Sequence, residues 1–371
     1  MKKFIKFFIF TIVFFIIGCG NNDIYTTYVP EEIETENIIL EPEEYEPEEI
    51  DPFYGMVINP LTGTWILEEI AGNRPMAIVI NNLPRALPQS GIGQADIIYE
   101  VLAEGGITRL IAIFTNVTAD KVGPIRSTRE YFAPIAINHN AVLIHHGGSP
   151  TGYNAIRNLG IHNLDGMILE GSIFFRDMVR FRTSGMREHS SYTNFENIKN
   201  YMSSRGFDIY EDIPYLFNFY KEFQIPEGTE VTEIVLPFSN SHTANFIFNN
   251  ENGLFYRYQR GLAQIDEYDD SHLTVSNIII KKTSVNAIPG DPEGRVDVNM
   301  LGRGEGYFVT AGRYVPIIWQ RSSLDSQTVF LDKDYNILNL NPGSTWIAIL
   351  PTNANIEFLN NIENYIVQEY E

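Results

Sequence analysis

The chain has 371 residues, 44 % of them hydrophobic and 13 % aromatic, and a formal charge of −21. Its single cysteine excludes an internal disulfide, thiolate metal clusters and paired-thiol chemistry, and its acidity excludes the basic footprint that nucleic acid requires. The length suffices for one large core or two ordinary ones.

Lys2, Lys3 and Lys6 precede an apolar run from Phe7 to Ile17 that ends at Gly18-Cys19. These eleven residues are too few to cross a hydrocarbon core, which needs about 20. A cationic start, a short apolar run and a small residue before the cut read as a secretory signal over 1–18. The Gly18-Cys19 junction looks like a bacterial lipoprotein box. It predicts that Cys19 becomes a lipidated N-terminus, with the membrane as a partner through that lipid and the protein on the extracytoplasmic face. Residues 19–52 then read as a disordered tether. Twelve acidic residues and no Lys or Arg lie between Asp23 and Asp51, interrupted by prolines, and such self-repelling sequence buries no core.

Residues 52–371 keep a charge of −12, yet 105–190 hold nine basic against six acidic residues and five of the seven histidines. An anionic ligand would be drawn to that window. The first half of the body alternates apolar strands with helical spacing. Strands are predicted at Met76–Asn81, Ile107–Thr115 and Ala141–His146, and helices at Ser127–Ile137, Gly152–Leu159 and Asn194–Ser204. Beyond residue 230 the pattern is β throughout: Val231–Leu236, Ala244–Phe248, Leu254–Gln259, Asn277–Thr283, Tyr307–Thr310, Val315–Gln320, Thr328–Leu331 and Trp346–Leu350, then a short helix at Ile356–Gln368. Gly302-Arg303-Gly304-Glu305-Gly306 lacks the Lys-Ser/Thr of a phosphate loop and reads as a hairpin or bulge. The fold class is mixed α/β, with a layered α/β domain over 53–225 followed by a β-rich domain over 230–371.

One ordered series of motifs runs through this body: Asn59-Pro60-Leu61-Thr62-Gly63, Arg74-Pro75-Met76-Ala77, Asn81-Asn82, Pro88-Gln89-Ser90-Gly91, Ala95-Asp96-Ile97-Ile98-Tyr99-Glu100, Glu104-Gly105-Gly106-Ile107-Thr108-Arg109, Gly123-Pro124-Ile125-Arg126-Ser127, His146-Gly147-Gly148-Ser149-Pro150 and Phe175-Arg176-Asp177. Together with Gly304-Glu305-Gly306, Gly312-Arg313, Trp319 and Pro342-Gly343-Ser344-Thr345-Trp346 it resembles the YerB-like family of lipoproteins of Gram-positive bacteria, over essentially 53–351. The segment Arg187-Glu188-His189-Ser190-Ser191-Tyr192-Thr193 departs from the family's Pro-His-Asn-x-Tyr-Thr. The resemblance implies an envelope lipoprotein with an N-terminal layered α/β domain, and it supplies no reaction.

The loops beside the predicted strands are rich in Gly, Arg, Asn, Gln and Ser, and ligands usually sit at strand ends in α/β sheets. The candidate ligand-binding residues are Asn82, Gln89, Arg109, Arg126, Arg129, Gly147, Gly148, Ser149 and Arg176. Guanidinium forks recognise carboxylate and phosphate, although the arginines also have internal partners on offer in Glu100, Glu104, Asp165 and Asp177. For hydrolysis, Ser149 with His146 or His189, oriented by Asp165 or Asp177, is the candidate set. No Gly-x-Ser-x-Gly elbow is present, and Pro150 is expected to shape a turn. Asp165 with Glu170, or Glu100 with Glu104, offers a carboxylate pair for glycoside chemistry. Consecutive His145 and His146 face opposite sides of a strand, so at most one of them joins His139 around an ion, and no metal or cofactor is expected. The sequence therefore points to a tethered binding or regulatory module of the cell envelope near wall synthesis. Its partner would be a wall component or an envelope protein. The alternative is a hydrolase or transferase acting on wall polymer through Asp, Glu or His of the N-terminal loops.

Overall fold

A computed structural model describes residues 52–207, 214 and 216–360. The signal segment, Cys19 and nearly all of the acidic tether lie outside the described residues, as does most of the predicted C-terminal helix. Of that last expectation, Glu357–Leu359 is a strand instead. Its backbone pairs with Glu233–Val235, which a helix could not do.

The N-terminal region contributes β1 (Met76–Asn81), β2 (Ile97–Leu102), β3 (Thr108–Phe114), α1 (Phe132–Asn138), β4 (Val142–His145), α2 (Pro150–Leu159), β5 (Asn163–Asp165), α3 (Gly166–Leu169), β6 (Phe174–Arg176), α4 (Met178–Arg182), β7 (Ser191–Thr193) and α5 (Phe195–Arg205). The C-terminal region is β-rich: β8 (Glu233–Ser239), β9 (His242–Asn249), β10 (Leu254–Gln259), β11 (Asn277–Thr283), β12 (Gly302–Thr310), β13 (Arg313–Arg321), β14 (Thr345–Pro351) and β15 (Glu357–Leu359), with shorter pieces between. The layered α/β region followed by a β-rich region is the expected fold class. Gly302–Gly306 opens β12 of the β12–β13 hairpin.

One eleven-stranded sheet runs through both regions. Its order is Thr229–Glu230, β13, β12, β11, β14, β2, β3, β1, β4, β5, with Val329–Leu331 beside β13. The join is β14, which lies parallel to β11 on one side and to β2 on the other, Thr345 facing Ile97 and Ile349 facing Val101. Strands β1, β2 and β3 are buried along their whole length, so they read as continuous apolar runs rather than as alternation. Ala77, Val79, Ile111 and Ile347 face a core shared with α1 and α2, and Ile78, Ile80, Ala112 and Trp346 face a second core. A six-stranded antiparallel sheet containing β10, β9, β8 and β15 covers that second face, joined by α5. The result is three layers.

Two local departures shape the site. The helix predicted from Ser127 starts only at Phe132. The preceding residues are held extended because Arg126 N–H donates to Val79, His146 N–H to Arg126 and Thr128 N–H to Gly147. Pro150 does not make a turn. It occupies the first position of α2, where its missing N–H is harmless, and Ser149 caps the helix by accepting from Gly152 N–H at 3.0 Å.

Candidate functional site

The end of β4 and the segment 125–127 lie side by side and form the floor of an open cleft of about 520 Å³. The cleft is lined by Ile125, Arg126, Ser127, His146, Gly147, Met167, Arg176, Gly185, Arg187, Glu188 and Ser191. Local backbone chemistry makes the shape. Gly147 turns the chain at φ +73°, a region that favours glycine. Gly166 leaves room for His146, whose ring would collide with a Cβ placed there. Asp165 fixes both loops by accepting from Gly147 N–H at 2.8 Å and Met167 N–H at 2.9 Å.

His146 is the centre of the polar chemistry. Its Nδ1 lies 2.8 Å from Ser191 Oγ and its Nε2 lies 3.1 Å from an Arg176 guanidinium nitrogen. A guanidinium only donates, so Nε2 must be the acceptor and Nδ1 must carry the proton that is donated to Ser191. Burial, and then the Arg176 charge, hold the imidazole below its usual pKa, which favours the same neutral form. Arg176 also grips Glu170 with two bonds of 2.6 and 3.0 Å. Arg126 donates to Glu188 at 2.6 Å, and its buried Nε has no hydrogen-bond partner among the described residues. His189 lies behind this pair, its Nδ1 accepting from Asn81 Nδ2 at 2.8 Å.

Of the sequence-derived candidates, Arg126, Arg176, His146 and Gly147 meet in this cleft. Arg109 and Arg129 do not reach it. Both clamp Glu104, whose carboxyl is held at about 2 because the two guanidinium charges outweigh the burial that would raise it. Arg109 also donates to Ser127 O at 2.8 Å, so it braces the floor from beneath. Gly148 packs against Thr128. Asn82 and Gln89 belong to a separate buried network: Asn82 donates to Thr108 at 2.7 Å, and Gln89 to Asn82 at 3.1 Å.

The Ser149 set is corrected in the same way. Its hydroxyl is spent as the α2 cap, Asp165 also accepts from Tyr153 at 2.7 Å, and Asp177 caps α4 and pairs with Lys121 at 3.1 Å. The serine on His146 is Ser191, which lies in the segment that departs from the family pattern. Sequence reasoning passed over it, and over Arg187 and Glu188. Their unusual local sequence was the available signal. Among the described residues no His, Cys, Asp and Glu side chains gather into a metal-binding group. His139 faces Tyr99 Oη at 2.8 Å, and burial with the Arg321 charge holds its pKa at about 3.

Residues 61–208 match the family model "Protein of unknown function (DUF3048) N-terminal domain", and 234–347 match its C-terminal counterpart. "Putative lipoprotein YerB" of Bacillus subtilis (strain 168) is 30 % identical over 296 residues, covering 79 % of this chain and 86 % of that protein. The chain belongs to the YerB (DUF3048) family. A crystal structure of YerB from Bacillus subtilis superposes with a TM-score of 0.70 at 29 % identity, covering 81 % of this chain and 99 % of that one. The whole cleft falls within the N-terminal family domain. Among the contacts that join the two family domains is Glu100, fully buried on β2, which receives two 2.9 Å bonds from Arg257 on β10 and one of 3.0 Å from His242 on β9. Burial would raise this carboxyl, but Arg257 and His242 hold it at about 2.

Proposed function

We propose that this YerB-family protein is a lipid-anchored binding module on the extracytoplasmic face of the cell membrane, acting near wall synthesis, and that its cleft captures a phosphate- or carboxylate-bearing group. The observation that carries this is the convergence of Arg126, Arg176 and Arg187 on one open cleft. They sit beside a histidine whose protonation is fixed by Arg176. The carboxylates now paired with Arg126 and Arg176 are Glu188 and Glu170, both exposed, so a ligand anion can replace them while they return to water. The Gly18-Cys19 junction and the name of the Bacillus relative support the anchor. The test is a titration with phosphate- and carboxylate-bearing wall fragments. Arg126→Ala and Arg176→Ala should abolish binding with little change in melting temperature. Wild-type protein that binds none of these anions overturns the proposal.

One observation favours a second reading, that of a serine hydrolase: the 2.8 Å contact of Ser191 with His146, whose far nitrogen lies 3.8 Å from Glu170. The proton on Nδ1 opposes it, because a base must accept from the serine. Covalent labelling of Ser191 by a fluorophosphonate would establish hydrolase chemistry over capture.

A further inference from the structure

We propose that the ligand of the cleft is an amphiphilic phosphate: a phosphate head held by Arg126 and Arg176, carried on an alkyl or isoprenoid chain that lies along an apolar rim made by Met167, Ile168, Met178 and Val179. This deepens the anion-capture reading and rests on it.

The rim residues are exposed apolar side chains in the two segments that carry cleft residues. Of the seventeen large hydrophobic side chains exposed among the described residues, Met167, Ile168, Met178 and Val179 lie next to or within two or three residues of Met167 and Arg176 of the cleft. Ile168 is 80 % exposed, Val179 79 % and Met167 67 %. Single exposed apolar residues need no explanation, whereas a cluster beside a cleft marks an interaction site. Met167 is itself a wall of the cleft, with Ile168 next to it. Arg176, also in the cleft lining, is followed after one residue by Met178 and Val179.

Helix α4 holds its rim residues outward by an inverted arrangement. A surface helix normally buries its apolar stripe and exposes its charges. Here one of the two basic residues is anchored while Arg182 is exposed: Arg180 donates to Ala86 O at 2.9 Å, Pro88 O at 2.8 Å and Glu267 at 3.1 Å. Asp177 caps the helix from below, none of its five residues is buried, and Met178 and Val179 are left in solvent. Arg180 is committed to the protein, and Met178 and Val179 are on offer. Phe181 links rim to head, with the Arg187 guanidinium 4.9 Å from its ring centroid and that of Arg176 at 6.0 Å.

The head is a phosphate because three guanidinium groups from separate segments converge. A planar carboxylate satisfies one fork, whereas a phosphate presents three acceptor oxygens to several at once. Charge fits as well: with Glu170 and Glu188 released, the cleft presents three cations to a group carrying up to two negative charges.

Both cores and every described strand lie within 51–371, which forms one compact unit, so this segment serves as the test protein. Three probes are titrated by calorimetry: inorganic phosphate, dodecyl phosphate below its micelle concentration, and dodecyl maltoside as a chain without the head. Dodecyl phosphate should bind at least about tenfold more tightly than inorganic phosphate, the equivalent of burying roughly two methylenes. Ile168→Ser/Val179→Ser should erase that gain and leave inorganic phosphate unaffected, and Met178→Ser should reduce it. Arg176→Gln should weaken both phosphates. Equal affinity for the two phosphates, a gain that survives the rim substitutions, or equally tight dodecyl maltoside overturns the amphiphile and leaves the anion cleft standing. Failure of both phosphates to bind overturns the cleft itself.

Discussion

Lys281 lies on β11 in the middle of the large sheet, 2 % exposed, and its Nζ has no hydrogen-bond partner among the described residues. Its Nζ lies over the face of Trp319, 3.9 Å from the ring centroid. Burial, with Arg321 adding to it, pulls its pKa from 10.5 down to about 7. Folding therefore opposes protonation. In the unfolded chain Lys281 keeps its proton up to about pH 10.5, whereas in the folded protein it gives it up near 7. The unfolded state binds the extra proton between those limits, so this group's penalty on folding is complete below pH 7 and fades as pH rises to 10.5. A shift of about 3.5 units corresponds to about 5 kcal/mol at most. Loss of the cation–ring contact returns about 2 kcal/mol of that to the wild type. Lys281→Met fills the same space without a charge. It should be more stable than wild type by about 3 kcal/mol at pH 6, falling to about 1 kcal/mol at pH 10, where the unfolded lysine still holds most of its proton. Urea unfolding of 51–371 and its variant at pH 6, 8 and 10 measures this. A difference that does not change with pH, or a variant less stable at pH 6, would show that Lys281 is charged and satisfied in the folded state.

Three other outcomes follow from the same structure. Glu100→Gln leaves Arg257 buried without its counter-charge and should lower stability by about 3–5 kcal/mol in urea unfolding. Wild type should lose this contribution as pH falls from about 4.5 towards 2, since the folded carboxyl is held at about 2. Arg109→Ala should destabilise by several kcal/mol and Arg126→Ala by under about 1 kcal/mol, because Arg109 is buried on Glu104 and Arg126 meets an exposed glutamate; equal losses would place both in one setting. Ser149→Ala should cost about 1 kcal/mol as a lost helix cap and leave anion binding unchanged, whereas loss of binding would return Ser149 to the site.

Much of the fold was legible where the signal is local. Met76–Asn81, Leu254–Gln259 and Asn277–Thr283 are strands over those spans, because β-branched and aromatic runs bounded by turn residues leave little choice. Ser149-Pro150 was legible too, as a cap followed by proline at the first helical position, and the expectation of a turn undervalued that pair. The shared sheet was not legible, since Thr345 pairs with Ile97 across some 250 residues and nothing in either segment names its partner. The arginines show the same limit. Arg109 follows Gly105-Gly106 at the start of β3, Arg126 and Arg129 follow Gly123-Pro124, and only three-dimensional neighbours distinguish the pair that clamps the half-buried Glu104 from the one that faces the cleft. Ser191 escaped because a serine acquires meaning only from the histidine that the fold brings to it.

The two family domains are chemically one object, and that bears on how the cleft works. Every residue lining it comes from the N-terminal domain, yet the sheet beneath it is incomplete without the C-terminal one. Strand β14 fills the edge of β2, and Arg257 neutralises Glu100 on that same strand. Alone, residues 53–225 would present a long apolar edge strand and an apolar sheet face stripped of its covering layer, two features that favour aggregation over folding. From β2 the connection to the cleft is short. Glu104 follows β2, holds Arg109 and Arg129, and through Arg109 fixes the Ser127 carbonyl in the cleft floor. The β-rich domain therefore supports the cleft without lining it, and it anchors the rim helix through Glu267 and Arg180.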